Sequence, residues 1–158
     1  MLFGKKELAF LSPVSGNVVP LEKIPDEAFS SGMLGVGFGI SPASGAILSP
    51  VSGRIESVAE AKHAYTLLTE EGLDVLVHIG VDTVSLGGVG FSPLVKAGDR
   101  VYAGDPICRA DIEWIRKKGL PDVVVVLITN PERIENTEYT YGECMAGKER
   151  VMRFRLRK

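Results

Sequence analysis

The sequence predicts an all-β protein: an antiparallel β-sandwich or barrel-like single domain over residues 1–158, with an internally duplicated motif and one or two short helical turns. Three observations predict it. Eighteen glycines and nine prolines punctuate 158 residues, and the segments between them are short and rich in β-branched residues, the pattern of many short strands joined by turns. The hexapeptide LSPVSG stands at Leu11–Gly16 and again, unchanged, at Leu48–Gly53, with ISPASG at Ile40–Gly45 as a variant. Helical periodicity is scarce: DIEWIRKK, Asp111–Lys118, is the one segment spaced for about two turns.

In chain order the predicted strands are Gly16–Pro20, Gly45–Ser49, Gly53–Val58, His63–Thr69, Leu73–Val81, Arg100–Tyr102, Ile107–Ala110, Asp122–Thr129 and Val151–Leu156. Each LSPVSG copy reads as a strand entering a Pro-initiated turn that Ser and Gly complete. A helical turn is expected near Pro25–Phe29. GVGF recurs at Gly35–Phe38 and Gly88–Phe91. Its offset differs from that of the hexapeptide, which argues duplication within one domain rather than a solenoid. Gly35, Gly37 and Gly39 have the spacing of a phosphate loop, but such a loop opens a helix, and the ISPASG that follows cannot.

Leu73–Val81 alternates, with Leu73, Val75, Val77, Ile79 and Val81 on one face and Asp74, Leu76, His78 and Gly80 on the other, Asp82 following on that side. Glu71-Gly72 is read as a two-residue hairpin loop. Glu70 then stands opposite Leu73, Tyr65 opposite His78 and His63 opposite Gly80. Asp111 is the expected N-cap of the DIEWIRKK helix, and Gly119 lies just past its end. A further helical turn is expected at Pro131–Asn136. The basic RFRLRK end reads as a solvated edge strand.

Composition narrows the function classes. Hydrophobic residues make up 45%, charged residues 24%, and net charge is −2, which excludes the basic footprint of a nucleic-acid binder. The longest aliphatic run, Val123–Ile128, is far too short to span a bilayer. The first residues, MLFGKKELAF, lack the apolar core of a signal peptide. A cytoplasmic protein without stable membrane insertion is expected. Cys108 and Cys144 have no metal-ligand spacing and read as reduced thiols acting as small apolar residues.

The chemistry is carried by the two histidines, His63 and His78. In the register above they are diagonal neighbours on one face, with backbones roughly 7–8 Å apart and rings within reach. A one-residue change of register would put them on opposite faces. A neutral imidazole is a good nucleophile near neutral pH and can hold a phosphoryl group on one ring nitrogen. A second imidazole can donate a hydrogen bond to that group. Asp82 is placed to orient a ring or shape the local charge, and Gly80 leaves room for an incoming group. The competing structural reading is a hydrogen-bonded histidine pair with no chemistry. A zinc hydrolase is the competing enzyme class, with His63, His78 and Asp82 as N, N and O ligands. The peptidase family this suggests also needs an HxH element, and the chain has no third histidine. No cofactor and no resident metal are expected, although zinc could bind adventitiously at His63 and His78.

Several segments together carry a resemblance: SPVSGNVVPLEKIPDEAF, GMLGVGFGISP, SPVSGRIESV, KHAY, LDVLVHIGVDTVSLGGVGF, VKAGDRVYAGDPI and VLITN. Over about Phe10–Glu135 the chain resembles the glucose-family IIA component of the bacterial phosphoenolpyruvate-dependent sugar phosphotransferase system. The resemblance implies a β-sandwich built on a duplicated motif. It implies that His78 accepts phosphate from the histidine phosphocarrier protein and passes it to a cysteine of a IIB domain, with His63 supporting the phosphorylated state. It further implies phosphorylation at Nε2 of His78, with Nδ1 held by a backbone carbonyl. Some relatives also act as binding proteins regulated by phosphorylation. Docking two partners over one histidine asks for a shallow apolar apron, for which Leu76, Phe29, Met33, Leu34, Val36, Phe38 and Phe91 are the candidates. Ala61 stands where many relatives have a threonine that hydrogen-bonds the supporting histidine. About ten residues precede the first expected strand, so no amphipathic N-terminal tail is expected. The identity of the sugar is not written in this chain.

Overall fold

The computed structural model describes residues 6–157. Its strands are β1 Glu7–Leu11, β2 Gly16–Pro20, β3 Val36–Pro42, β4 Ala46–Leu48, β5 Gly53–Val58, β6 Ala64–Leu68, β7 Asp74–Ile79, β8 Phe91–Pro93, β9 Arg100–Val101, β10 Pro106–Ala110, β11 Val124–Ile128, β12 Ile134–Tyr139, β13 Gly142–Cys144 and β14 Arg150–Leu156. Two short helices, α1 Glu27–Ser30 and α2 Ile112–Lys117, complete the regular structure along with three 3-10 turns. The expected all-β antiparallel class is what the chain adopts. One sheet has eight strands in the order β13-β2-β3-β11-β7-β6-β5-β9, and two three-stranded sheets run β4-β10-β8 and β1-β14-β12.

The duplicated hexapeptide has a structural meaning. The two copies hold each other: Leu11 N donates to Pro50 O at 3.0 Å, and Leu48 N donates to Pro13 O at 2.7 Å. Each copy is also served by an Ala-Gly loop. Gly147 N donates to Ser12 O and Gly104 N to Ser49 O, both at 2.8 Å. Ala146 N donates to Ser15 Oγ and Ala103 N to Ser52 Oγ. The duplication therefore extends to the Ala103-Gly104 and Ala146-Gly147 turns, a part of the repeat too short to stand out in sequence.

β11 sits at the middle of the large sheet, and all five of its residues are buried. Val124, Val126 and Ile128 join the main core with Phe10, Phe38, Tyr65, Val77 and Phe154. Val125 and Leu127 face the other side, into a smaller cluster with Leu21, Ile24, Phe29 and Val81. An aliphatic run with no alternation is what a strand covered on both faces requires. The outer cluster is roofed by residues 21–30. Asp26 caps α1 by accepting from Ala28 N at 2.9 Å, and this one-turn helix lowers Phe29 onto the sheet.

Four expectations need correction. The hairpin after β6 has a three-residue loop, because Thr69 N bonds Leu73 O and Gly72, at φ +85°, takes the left-handed position. The register is therefore one residue away from the expected one: Ala64, not Tyr65, faces His78. The C-terminal strand β14 is the centre of its sheet, not an edge. Its arginines alternate with buried Val151, Met152 and Phe154, and its partners β1 and β12 lack strong β composition. The expected helical turn at Pro131–Asn136 ends at Arg133 and gives way to β12, so residues from Ile134 on are extended. The glycine-rich Val36–Pro42 is itself a strand: a Cβ on Gly37 would lie 1.8 Å from Val126 O, so close strand packing explains that glycine. The DIEWIRKK helix forms as expected, with Asp111 Oδ1 accepting from Trp114 N at 3.0 Å.

Candidate functional site

The site lies where β7 leaves the sheet. Alternation buries Val75, Val77 and Ile79 in the main core and turns Leu76 and His78 outward, half-buried. Gly80 then takes φ +79°, and its peptide is pinned by Gly80 N donating to Val123 O at 2.8 Å. The chain enters a 3-10 turn, Thr83–Leu86, and Thr83 Oγ1 bonds back to Ile79 O. This fixed bend aims the Gly80 carbonyl at Nδ1 of His78, 2.8 Å away. A carbonyl oxygen can only accept, so Nδ1 must carry the proton in the neutral ring. Nε2 is left with the free lone pair.

His63 reaches the same place by a route the sequence did not suggest. In the observed register it pairs with Ile79, accepting from Ile79 N at 2.8 Å, and in a regular strand its side chain would point into the core. It lies one residue before β6, after Lys62 at φ +65°. That left-handed bend takes His63 out of the pleat and swings its ring over the outer face. The two imidazoles meet edge to face with centroids 4.8 Å apart. Tyr65 OH donates to Lys62 O at 3.1 Å and holds the bend.

The surroundings keep both rings neutral. Burial pushes His78 down to about 4 and the neighbouring His63 adds to this, against the Gly80 carbonyl and the charges of Asp26 and Asp82. Burial also lowers His63. Phe29 is 5% exposed and packs its ring against His78 at 5.1 Å. Nδ1 of His63 is buried and has no hydrogen-bond partner among the described residues, in keeping with Ala61 at the position where a hydroxyl was expected in relatives. The rings open into a cleft of about 150 Å³ that also touches Asp82, Leu34 and Val84, room for a phosphoryl-sized group.

The other candidates divide by exposure. Asp82 lines the cleft at φ +61° and acts on His78 through charge; the orienting contact comes from Gly80. Met33 and Leu34 are exposed, at 75% and 42%. Val36 and Leu76 are half-buried. Phe91 is buried 6.5 Å from His63. Phe38 is fully buried in the main core and offers no surface to a partner; β3 is covered on both sides there. Two features were not singled out from sequence. Asp26, spent as a helix cap, also lines the cleft. Val84 is 60% exposed beside the histidines, in a 3-10 turn whose VSLGG pattern shows neither strand nor helix periodicity. Cys108 and Cys144 are buried free thiols. No group of three or more His, Cys, Asp or Glu side chains is arranged to hold a metal among the described residues, so His63, His78 and Asp82 do not form the three-ligand site a zinc hydrolase needs. No helix there is long and apolar enough to cross a membrane.

Comparison with known proteins bears on this geometry. Residues 8–134 match the family described as phosphoenolpyruvate-dependent sugar phosphotransferase system, EIIA 1. A "PTS system glucose-specific EIIA component" of Staphylococcus aureus is 40% identical over 157 residues, covering 96% of this chain and 95% of the relative. The protein of the same name from Staphylococcus epidermidis is 42% identical over 140 residues, covering 85% and 84%. The solved structure of glucose permease IIA from Mycoplasma capricolum superposes with a TM-score of 0.88 at 34% identity, over 97% of this chain and 99% of that one.

Proposed function

The chain belongs to the EIIA 1 family of the phosphoenolpyruvate-dependent sugar phosphotransferase system, and from that premise we propose that it is a phosphoryl relay with His78 as acceptor. One observation carries the reading: the Gly80 carbonyl fixes the proton on Nδ1 and leaves Nε2 nucleophilic. The Nε2 lone pair attacks phosphorus on a phosphohistidine of the phosphocarrier protein. The donor's P–N bond breaks and its electron pair returns to the donor imidazole. The His78 ring keeps its Nδ1 proton throughout and becomes cationic, a state the Gly80 carbonyl and the Asp26 and Asp82 charges favour. A cysteine thiolate of a IIB domain then attacks the same phosphorus, and the P–N pair returns to Nε2. No net proton is left on His78.

His63 acts as hydrogen-bond donor to the phosphoryl oxygens. Its Nδ1 is sealed without a partner among the described residues, so the neutral ring serves the site best with its proton on Nε2. Leu34, Met33, Val84 and Leu76 form the apolar ground on which the two partners dock in turn, at interfaces of the small transient kind. The names of the relatives support glucose as the sugar served, and cytoplasmic action fits both partners. The test is phosphate transfer from phosphoenolpyruvate through the first enzyme and the phosphocarrier. His78→Ala is expected to take up no label. His63→Ala is expected to take up label and to pass it poorly to IIB. Normal labelling of the first, or normal onward transfer by the second, overturns the assignment.

A further inference from the structure

At the opposite end of the β6–β7 hairpin, about 17 Å along β6 from His63, lies a cavity of about 390 Å³. Its floor is Phe10, Leu73 and Phe154, and its rim carries Arg54, Arg100, Glu70 and Glu71. Arg54 and Arg100 face each other directly across the β5–β9 ladder. Like charges opposite one another on one face repel, and neither arginine forms an ion pair among the described residues. Arg100 instead rests over the Tyr102 ring at 5.9 Å.

The duplication shows that the fold does not ask for this arrangement. Gly53 pairs with Val101 and Arg54 with Arg100 in one copy; Gly16 pairs with Cys144 and Asn17 with Glu143 in the other. The same backbone positions hold two cations in one half and an amide with a carboxylate in the other. An anion seated between the arginines would relieve their repulsion, and two guanidinium forks match the oxygens of a phosphate. Glu70 and Glu71 on the same rim would repel a second anionic group and accept hydrogen bonds from hydroxyls. The cavity is within the size range of metabolite sites.

We propose that this cavity is a second ligand site, separate from the histidine pair, for a phosphorylated sugar or polyol: the phosphate between Arg54 and Arg100, the hydroxyls toward Glu70 and Glu71. Such a ligand is the class of product that a sugar phosphotransferase system makes. The site itself stands on the cavity and the arginine pair and is independent of the relay reading.

The test is an amide NMR titration of the full chain with glucose 6-phosphate, inorganic phosphate and glucose in separate arms, and with anionic phospholipid vesicles in a fourth. Glucose 6-phosphate is expected to shift the amides of Arg54, Arg100 and Leu68–Leu73 and to leave those around His78 in place. Arg54→Gln and Arg100→Gln, both at exposed positions, are expected to weaken binding about tenfold each, and His78→Ala to leave it unchanged. Glucose is expected not to bind, and inorganic phosphate to bind about tenfold more weakly than the sugar phosphate. The proposal is overturned by no shift at millimolar glucose 6-phosphate or by full affinity in both arginine variants. Equal affinity for inorganic phosphate (an adventitious ion only), or vesicle capture without binding of the soluble ligand, overturns it as well.

Discussion

Gly80 joins the fold to the chemistry, and Gly80→Ala puts that joint under load. A Cβ there would sit 2.4 Å from Thr83 Cγ2 and 3.0 Å from Pro121 O, and the residue would have to hold φ +79°. The left-handed conformation costs an L-residue about 1–2 kcal/mol, and forcing a methyl into packed surroundings adds about 1–3. A loss of about 2–5 kcal/mol leaves the protein folded if its stability is in the ordinary range of about 5–15. The peptide relieves the clash by rotating, which pulls its carbonyl off His78 Nδ1. Losing a hydrogen bond worth about 1 kcal/mol shifts the tautomer balance by roughly fivefold, away from the form with a free Nε2. Denaturant melts should show the lost stability. Nitrogen chemical shifts of the ring should show the proton moving, and phosphate uptake should slow, by up to about fivefold, at saturating phosphocarrier. A variant within about 1 kcal/mol of the parent, with Nδ1 still protonated and uptake unchanged, would refute the claim that this carbonyl sets the nucleophile.

The depressed pKa of His78 makes stability depend on pH. The unfolded ring takes its proton near 6.5 and the folded ring only near 4, so stability is complete above 6.5 and is lost as pH falls toward 4. The loss is at most about 3 kcal/mol; His78→Gln should flatten this part of the pH profile, measured by denaturant melts of both proteins. Phe29→Ala should cost about 3–5 kcal/mol and, by admitting water, raise the His78 pKa toward 6.5, readable by NMR titration of the ring. Val84→Glu and Leu34→Glu should keep stability within about 0.5 kcal/mol while raising the apparent KM for the phosphocarrier. An unchanged KM in both would remove those residues from the docking ground.

The strands are readable where turn residues bracket a run with β-branched residues, as at Gly53–Val58 and Asp122–Thr129, because Pro and Gly fix local backbone geometry. β1 and β12 are not marked as strands by local sequence, and β14 is marked as a strand but not as the centre of a sheet. Their pairing depends on each other across the whole chain, and no local rule says that a basic strand will find two neighbours. The sequence brings the two histidines together through a register one residue from the real one. The error arose at Gly72, where a two-residue and a three-residue loop look alike in sequence, and it was offset by the left-handed bend at Lys62, which a lysine does not advertise. Phe38 reads as surface from sequence but lies in the core, because a glycine-rich strand gives no alternation to separate its faces. Asp82 was legible as a nearby charge, whereas the backbone carbonyl that orients His78 has no side chain to announce it.

The interlocked hexapeptide turns bear on how the chain is made. Ser12 is sealed from water, yet its amide and carbonyl are met by Glu149 and Gly147, near the other terminus. A ribosome delivers those partners more than 130 residues after Ser12 itself. Until they emerge, the first turn has unmet polar groups and no reason to settle, so the nascent polypeptide must wait in an unfinished state. Emergence of the Gly147–Glu149 segment, rather than growth of the amino-terminal half, is then the event that closes the structure.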